Sequence, residues 1–245
     1  MEVRDFSLRK ENLKIGVRRI FLPREEVVLI LPGFFQSKNT RIFKSLQKEI
    51  SKFFDTACMD MPGHGNSSGF FTFGSKNEEE ALNSVLDYLE GIYHKIGVLA
   101  FSLSGLATIN SLAKRKAKKV VSLVLVSVPS DFSQIEFRFF SPSAIKLGLR
   151  SLDWNLGALL GFPFFKKEKP LENIQRIEFP ILFLQGDSDP IIDKTHTFKL
   201  AQAHPGKQKV YIFRRGSHAE DLYRSYPEEF LEQVIDWFRR SLKNE

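Results

Sequence analysis

Residues 95–109, KIGVLAFSLSGLATI, read as an apolar strand that turns directly into a helix, and the break falls at Ser102. A residue at so sharp a strand-to-helix turn is driven to positive φ. The residues two before and two after it must then be small, or the arms of the turn collide. Ala100 and Ser104 hold those places. With Ser104 at the turn instead, Leu106 would fall on the second small position, where it is too bulky. Ser102 is therefore the residue presented at the end of the strand.

Apolar runs and helical periodicities alternate along the rest of the chain. The opening residues alternate apolar and polar positions around Glu11 and Asn12, which predicts an antiparallel hairpin. Strands are expected at 27–31, 56–60, 96–101, 120–127, 181–184 and 208–213, in short runs with little alternation that suit strands covered on both faces. Apolar residues recur at threes and fours over 40–54, 79–93 and 227–242, the last with Pro227 and acidic residues in its first turn. Strand alternating with helix predicts an α/β fold: a mostly parallel central sheet with helices on both faces and right-handed crossovers.

The interval 131–169 is longer than one crossover needs and is read as a cap inserted into a single 245-residue domain. It is rich in phenylalanine, with Trp154 and the interrupting Pro142 and Pro163. Such an apolar insertion must bury itself, and the mouth of a site is the place a sheet of this kind offers. The lesser alternative is that these aromatics fill a small core of the cap's own.

The +7 net charge comes from scattered basic residues without an aromatic-basic recognition pattern, so the reading is a solvated positive surface, with weak attraction to anionic membrane surfaces and no nucleic-acid partner. The single cysteine, Cys58, lies in an apolar run and reads as a buried thiol. The amino end lacks an apolar signal segment and no run of eighteen apolar residues occurs, so a cytoplasmic chain without a spanning helix is expected. The five histidines have no metal-ligand spacing. Neither metal nor cofactor is implied.

Two further apolar runs end in polar turns: Ile181 to Leu184 leads into Gly-Asp-Ser-Asp, and the run at 210–213 leads into Gly-Ser-His. Sites in parallel sheets collect where such loops leave the strands. The order Ser102, Asp189, His218 is then the nucleophile, acid, base order of the α/β-hydrolases. From about Val27 to Leu242 the chain resembles that superfamily, and within it the compact serine esterase, monoacylglycerol-lipase and cinnamoyl-esterase-like branch. AFSLS is similar to its G-x-S-x-G elbow with small residues for the glycines. VVLILPGFFQS is similar to its oxyanion strand and loop, with Pro32 where a histidine is usual. MDMPGHGNSSG resembles its D-x-x-G-H-G-x-S turn through Asp60, Gly63, His64, Gly65 and Ser67.

The resemblance implies a serine hydrolase cleaving carboxylic esters of small molecules, with an apolar or aromatic acyl group. Ser102 would be the nucleophile, His218 the base and Asp189 the orienting acid, and the backbone N–H groups of Phe34 and Leu103 would hold the oxyanion. Asp187 and Asp131 are the competing acids. Phe35, Phe137, Phe140 and Trp154 are the candidate substrate contacts. His64 is expected to bond backbone rather than take part in chemistry, and His94, His196 and His204 to face solvent. A thioesterase or peptidase with the same triad, or a hydrolase-fold binding protein without activity, are the other readings. Serine at 102 sets aside the dehalogenase and epoxide-hydrolase relatives, whose nucleophile is an aspartate.

Overall fold

The computed structural model describes residues 1–73, 76–115, 119–134, 141–142, 153, 157–161 and 169–243. Eight strands form one sheet: β1 (Glu2–Lys10), β2 (Leu13–Phe21), β3 (Glu26–Leu31), β4 (Asp55–Met59), β5 (Lys95–Phe101), β6 (Val120–Val126), β7 (Ile181–Gly186) and β8 (Gln208–Phe213). Their spatial order is β1-β2-β4-β3-β5-β6-β7-β8. The β1–β2 hairpin and the β2–β4 pair are antiparallel, and every later pair is parallel. This is the mostly parallel sheet with an N-terminal hairpin expected from the sequence, and Glu11 turns the hairpin at φ 50°.

Strand periodicity divides the core in two. Val27, Leu29 and Leu31 face one layer and Val28 and Ile30 the other, because successive side chains leave opposite faces of a strand. The first layer is covered by α2 (Lys76–Glu90), α3 (Leu103–Lys114), the short α4 (Pro170–Asn173) and α5 (Lys194–Ala203). The second is covered by α1 (Arg41–Ile50), α6 (Glu220–Ser225) and α7 (Pro227–Phe238). Helix α1 shows the pattern plainly, burying Phe43, Leu46, Gln47 and Ile50, the i, i+3, i+4, i+7 stripe of an amphipathic helix. Cys58 is a buried free thiol on β4.

The terminal helix spans the expected residues but changes its winding: it is α-helical from Pro227 to Phe238 and continues as a wider π-helical turn, Arg239–Lys243. That turn brings Leu242 into the core over Gly97, where a β-carbon would meet the Phe238 ring at 2.6 Å and Leu242 at 3.2 Å. A glycine in β5 is what lets the end of the chain lie this close to the sheet. Among the described residues, no helix is long and apolar enough to cross a membrane.

Candidate active site

Ser102 stands between β5 and α3 with φ 50° and ψ −125°, a conformation that a non-glycine residue holds only when its surroundings impose it. The small neighbours serve two purposes. Ser104 passes the turn without collision, and its hydroxyl donates to the Pro32 carbonyl at 2.5 Å, tying the loop after β3 to the elbow. Gly33 lies at the serine itself, since a β-carbon there would be 3.5 Å from Ser102 Cβ.

His218 and Asp189 arrive from the loops after β8 and β7. His218 Nε2 is 3.0 Å from Ser102 Oγ, and its Nδ1 is 2.7 Å from Asp189 Oδ2. All three are withdrawn from water: Ser102 is 2% and His218 7% exposed, and the Asp189 side chain is fully covered. A buried carboxylate needs donors, and Asp189 has them from the Ile191 and Ile192 N–H groups on Oδ1 and from the Gln185 amide on Oδ2. Burial opposes a charged imidazole, but the charge and hydrogen bond of Asp189, supported by Glu220 and Asp221, outweigh it and raise the His218 pKa above its ordinary 6.5. This is the balance that stabilises an imidazolium formed during proton transfer.

The competing acids are occupied elsewhere. Asp187 Oδ1 accepts from the Arg215 N–H at 2.6 Å and from the Ser188 hydroxyl, and so laces the acid loop to the loop after β8. Asp131 accepts from the N–H and hydroxyl of Ser133, closing a short turn after β6.

His64 bonds backbone, as expected. Its Nδ1 lies 3.0 Å from the Pro62 carbonyl, and Nε2 accepts the Phe35 N–H at 3.1 Å. Nδ1 therefore carries the proton. Burial lowers the His64 pKa to about 4, so the ring stays neutral and keeps its acceptor across the pH range in which most enzymes work. This bond occupies the Phe35 N–H, and Leu103, whose N–H is the other donor expected from the sequence, stands at the first position of α3. Asp60 supports the same region, accepting from the Lys38 and Asn66 N–H groups at 2.7 and 2.8 Å. Gly65 at φ 50° leaves room for that carboxylate.

Phe35 is 46% exposed beside the elbow. Phe137, Phe140 and Trp154 lie outside the described residues. Of the expected cap, residues 157–161 pair with the segment that carries His64 and with the loop after β3: the Leu159 N–H donates to the Gly63 carbonyl, the Phe71 N–H to the Leu159 carbonyl and the Gly157 N–H to the Phe35 carbonyl. Phe132, counted with the cap in the sequence, is buried in the main core against Phe73. An aromatic group not foreseen in the sequence flanks the loop after β3. The Phe34 ring lies 4.1 Å from Phe35, 5.3 Å from Phe71 and 5.4 Å from Phe73.

Two of the histidines expected in solvent are buried, His196 and His204, while His94 is exposed. His196 fills the space between the loop after β6 and α5, its Nδ1 2.9 Å from the Ser130 hydroxyl. His204 closes the end of α5 over Gly206, where a β-carbon would come within 2.9 Å of its ring. Apolar periodicity does not distinguish an imidazole that packs from one that is solvated.

Positioning residues missed by the motifs are Gln185 and Ser127. Gln185 is a fully buried amide in β7 that holds Asp189 and the Ile192 carbonyl. Its signal was a polar residue inside an apolar run. Ser127, just past β6 at φ 50°, accepts the Ala219 N–H and so fixes the residue after His218.

The sequence profile of the serine hydrolase (FSH1) family matches residues 23–219. The chain belongs to this family. The match runs from just before β3 to just past His218 and so contains the whole constellation described above. Among curated proteins, this serine hydrolase is 25% identical over 192 residues to the uncharacterized protein YqkD of Bacillus subtilis, an alignment spanning 71% of the chain and 60% of YqkD. It is 21% identical over 248 residues to the human serine hydrolase BPHL, covering 88% of the chain and 80% of BPHL. Among solved structures, the Pyrococcus furiosus esterase Pf2001 superposes with a TM-score of 0.80 at 18% identity, over 98% of this chain and 93% of that one. At that identity the likeness establishes the shared α/β-hydrolase fold.

The contact between the loops after β7 and β8, here called the acid and base loops for the roles expected of Asp189 and His218, gives a direct test of how tightly this family member holds its site. Gly186 ends β7 against the Gly216 and Ser217 carbonyls, each 2.3 Å from where a β-carbon would stand. Gly186→Ala is expected to push the base loop off β7, lowering stability by about 2–3 kcal/mol in urea unfolding and reducing turnover with it. Wild-type values for both would mean that the loops tolerate separation.

Proposed function

We propose that this serine hydrolase is an esterase that cleaves carboxylic esters with an apolar or aromatic acyl group through an acyl-enzyme. The observation that carries the reading is the unbroken relay from Ser102 Oγ through His218 to Asp189, at 3.0 and 2.7 Å, starting from a serine held at positive φ.

In this reading Ser102 Oγ attacks the ester carbonyl carbon while its proton passes to His218 Nε2. The carbonyl oxygen becomes an oxyanion and accepts from the Phe34 and Leu103 N–H groups, donors of a kind whose loss typically raises a barrier by about 3 kcal/mol. Collapse breaks the bond to the alkoxy group, which takes the proton from His218 Nε2 and departs as the alcohol. Water then attacks the acyl-enzyme, gives a proton to His218, and the second collapse returns that proton to Ser102 and releases the acid. Asp189 keeps Nδ1 protonated throughout, so that Nε2 is the basic nitrogen.

The acyl preference is supported by the half-buried Phe34 and Phe73 and the exposed Phe35 around the oxyanion loop. The segment 131–169 carries six lysine and arginine residues against four acids, which argues against a pocket for a substrate's amino terminus.

Matched ester, thioester and aminoacyl-amide substrates with the same acyl groups test the reading. The ester is expected to give the highest kcat/KM, rising from acetyl to longer or aromatic acyl groups as each buried methylene adds about 0.8 kcal/mol. A preference for the thioester or the amide would move the assignment to the corresponding hydrolase class.

A further inference from the structure

The loop that carries Phe34 and the loop that carries His218 are 184 residues apart in sequence, and each contains a non-glycine residue at positive φ, Phe35 at 64° and Ala219 at 46°. Such residues are strained and persist only where neighbours over-determine them. Each loop is anchored to the sheet edge: Phe35 N–H to His64, Pro32 to Ser104, Ala219 N–H to Ser127. The loops are also tied to each other. Gln36, 5% exposed and next to Phe35, donates its side-chain N–H to Glu220 Oε1 at 2.6 Å. Glu220 follows His218 by two residues.

We propose that Gln36 and Glu220 are positioning residues of the esterase site: their bond straps the oxyanion loop to the base loop, and the Glu220 carboxylate acts as a second anionic neighbour of His218. The proposal rests on the esterase reading for its kinetic consequence and on geometry for the strap. Among the described residues, the charged groups that act most on His218 are Asp189, bonded to Nδ1, and Glu220 and Asp221 on α6, each favouring the imidazolium. Asp221 is paired with Arg224 at 2.8 Å. Burial pushes the Glu220 carboxyl above its ordinary 4.5, while His218 and Arg224 draw it down. The Gln36 amide supplies this half-buried carboxylate with a donor that holds it in place.

Two substitutions separate the strap from the charge. Glu220→Gln keeps a carbonyl oxygen for Gln36 and removes the charge. His218, followed by NMR of histidine-labelled protein and assigned from His218→Gln, should then titrate at lower pH than in the wild type, and the acidic limb of kcat/KM should move down with it. Gln36→Ala keeps the charge and frees the oxyanion loop, so kcat should fall about tenfold with KM within twofold and the His218 titration unmoved. If Glu220→Gln does not fold, Glu220→Asp, one methylene short of Gln36, should reproduce the Gln36→Ala kinetics. An unmoved His218 midpoint in Glu220→Gln, or a wild-type kcat in Gln36→Ala or Glu220→Asp, overturns the proposal. The NMR titration needs no turnover, so a protein that cleaves no ester but shows the shift would count against the esterase reading and not against the role of Glu220.

Discussion

Ser102→Ala is expected to lower kcat for the preferred ester by about 10⁶-fold, the loss seen when a serine nucleophile is removed from a triad whose members act as a unit. KM should change little, because on the proposed reading the groups that bind the ester, Phe34 and Phe35 among them, remain. Alanine gains nothing at φ 50°, so the variant should unfold at the wild-type denaturant midpoint. Ser102→Gly should be as inactive and also more stable, since glycine adopts positive φ without crowding. Substantial turnover by either variant would require another nucleophile.

Asp189→Asn is the second large effect, about 10⁴-fold in kcat. An asparagine oxygen can still accept the Ile191 and Ile192 N–H groups, so the loop should keep its shape. Its amide would face His218 Nδ1 with an N–H where the carboxylate oxygen now accepts. The imidazole would then protonate at Nε2 and present a donor, not a base, to Ser102. Asp187→Asn touches only the lacing of the two loops through Arg215 and Ser188 and should stay within a few-fold of wild type in steady-state assays. The reverse ranking would transfer the acid role to Asp187.

The layout of the sheet and the places of Ser102, Asp189 and His218 were legible because each depends on local chemistry. Short apolar runs without alternation mark strands covered on both faces, and the small residues around Ser102 mark a turn that admits nothing larger. Ties between distant segments left no comparable mark. Gln185 on Asp189, Ser127 on Ala219 and Gln36 on Glu220 are ordinary polar residues, and their roles exist only once the strands lie side by side. The burial of His196 and His204 was missed for the same reason, since their packing partners are remote in sequence. The π-helical end of the chain depends on Gly97, 145 positions before Leu242.

Exposure of the folded protein to a small fluorophosphonate, followed by intact-mass and peptide mass spectrometry, tests the reactivity of the Ser102–His218 pair most directly. One phosphonyl group per chain is predicted, mapped to Ser102, absent from Ser102→Ala and formed far more slowly in His218→Gln. A folded protein that takes up no adduct, or one that carries the adduct on another residue and keeps it in Ser102→Ala, would contradict the assignment of Ser102 as the nucleophile.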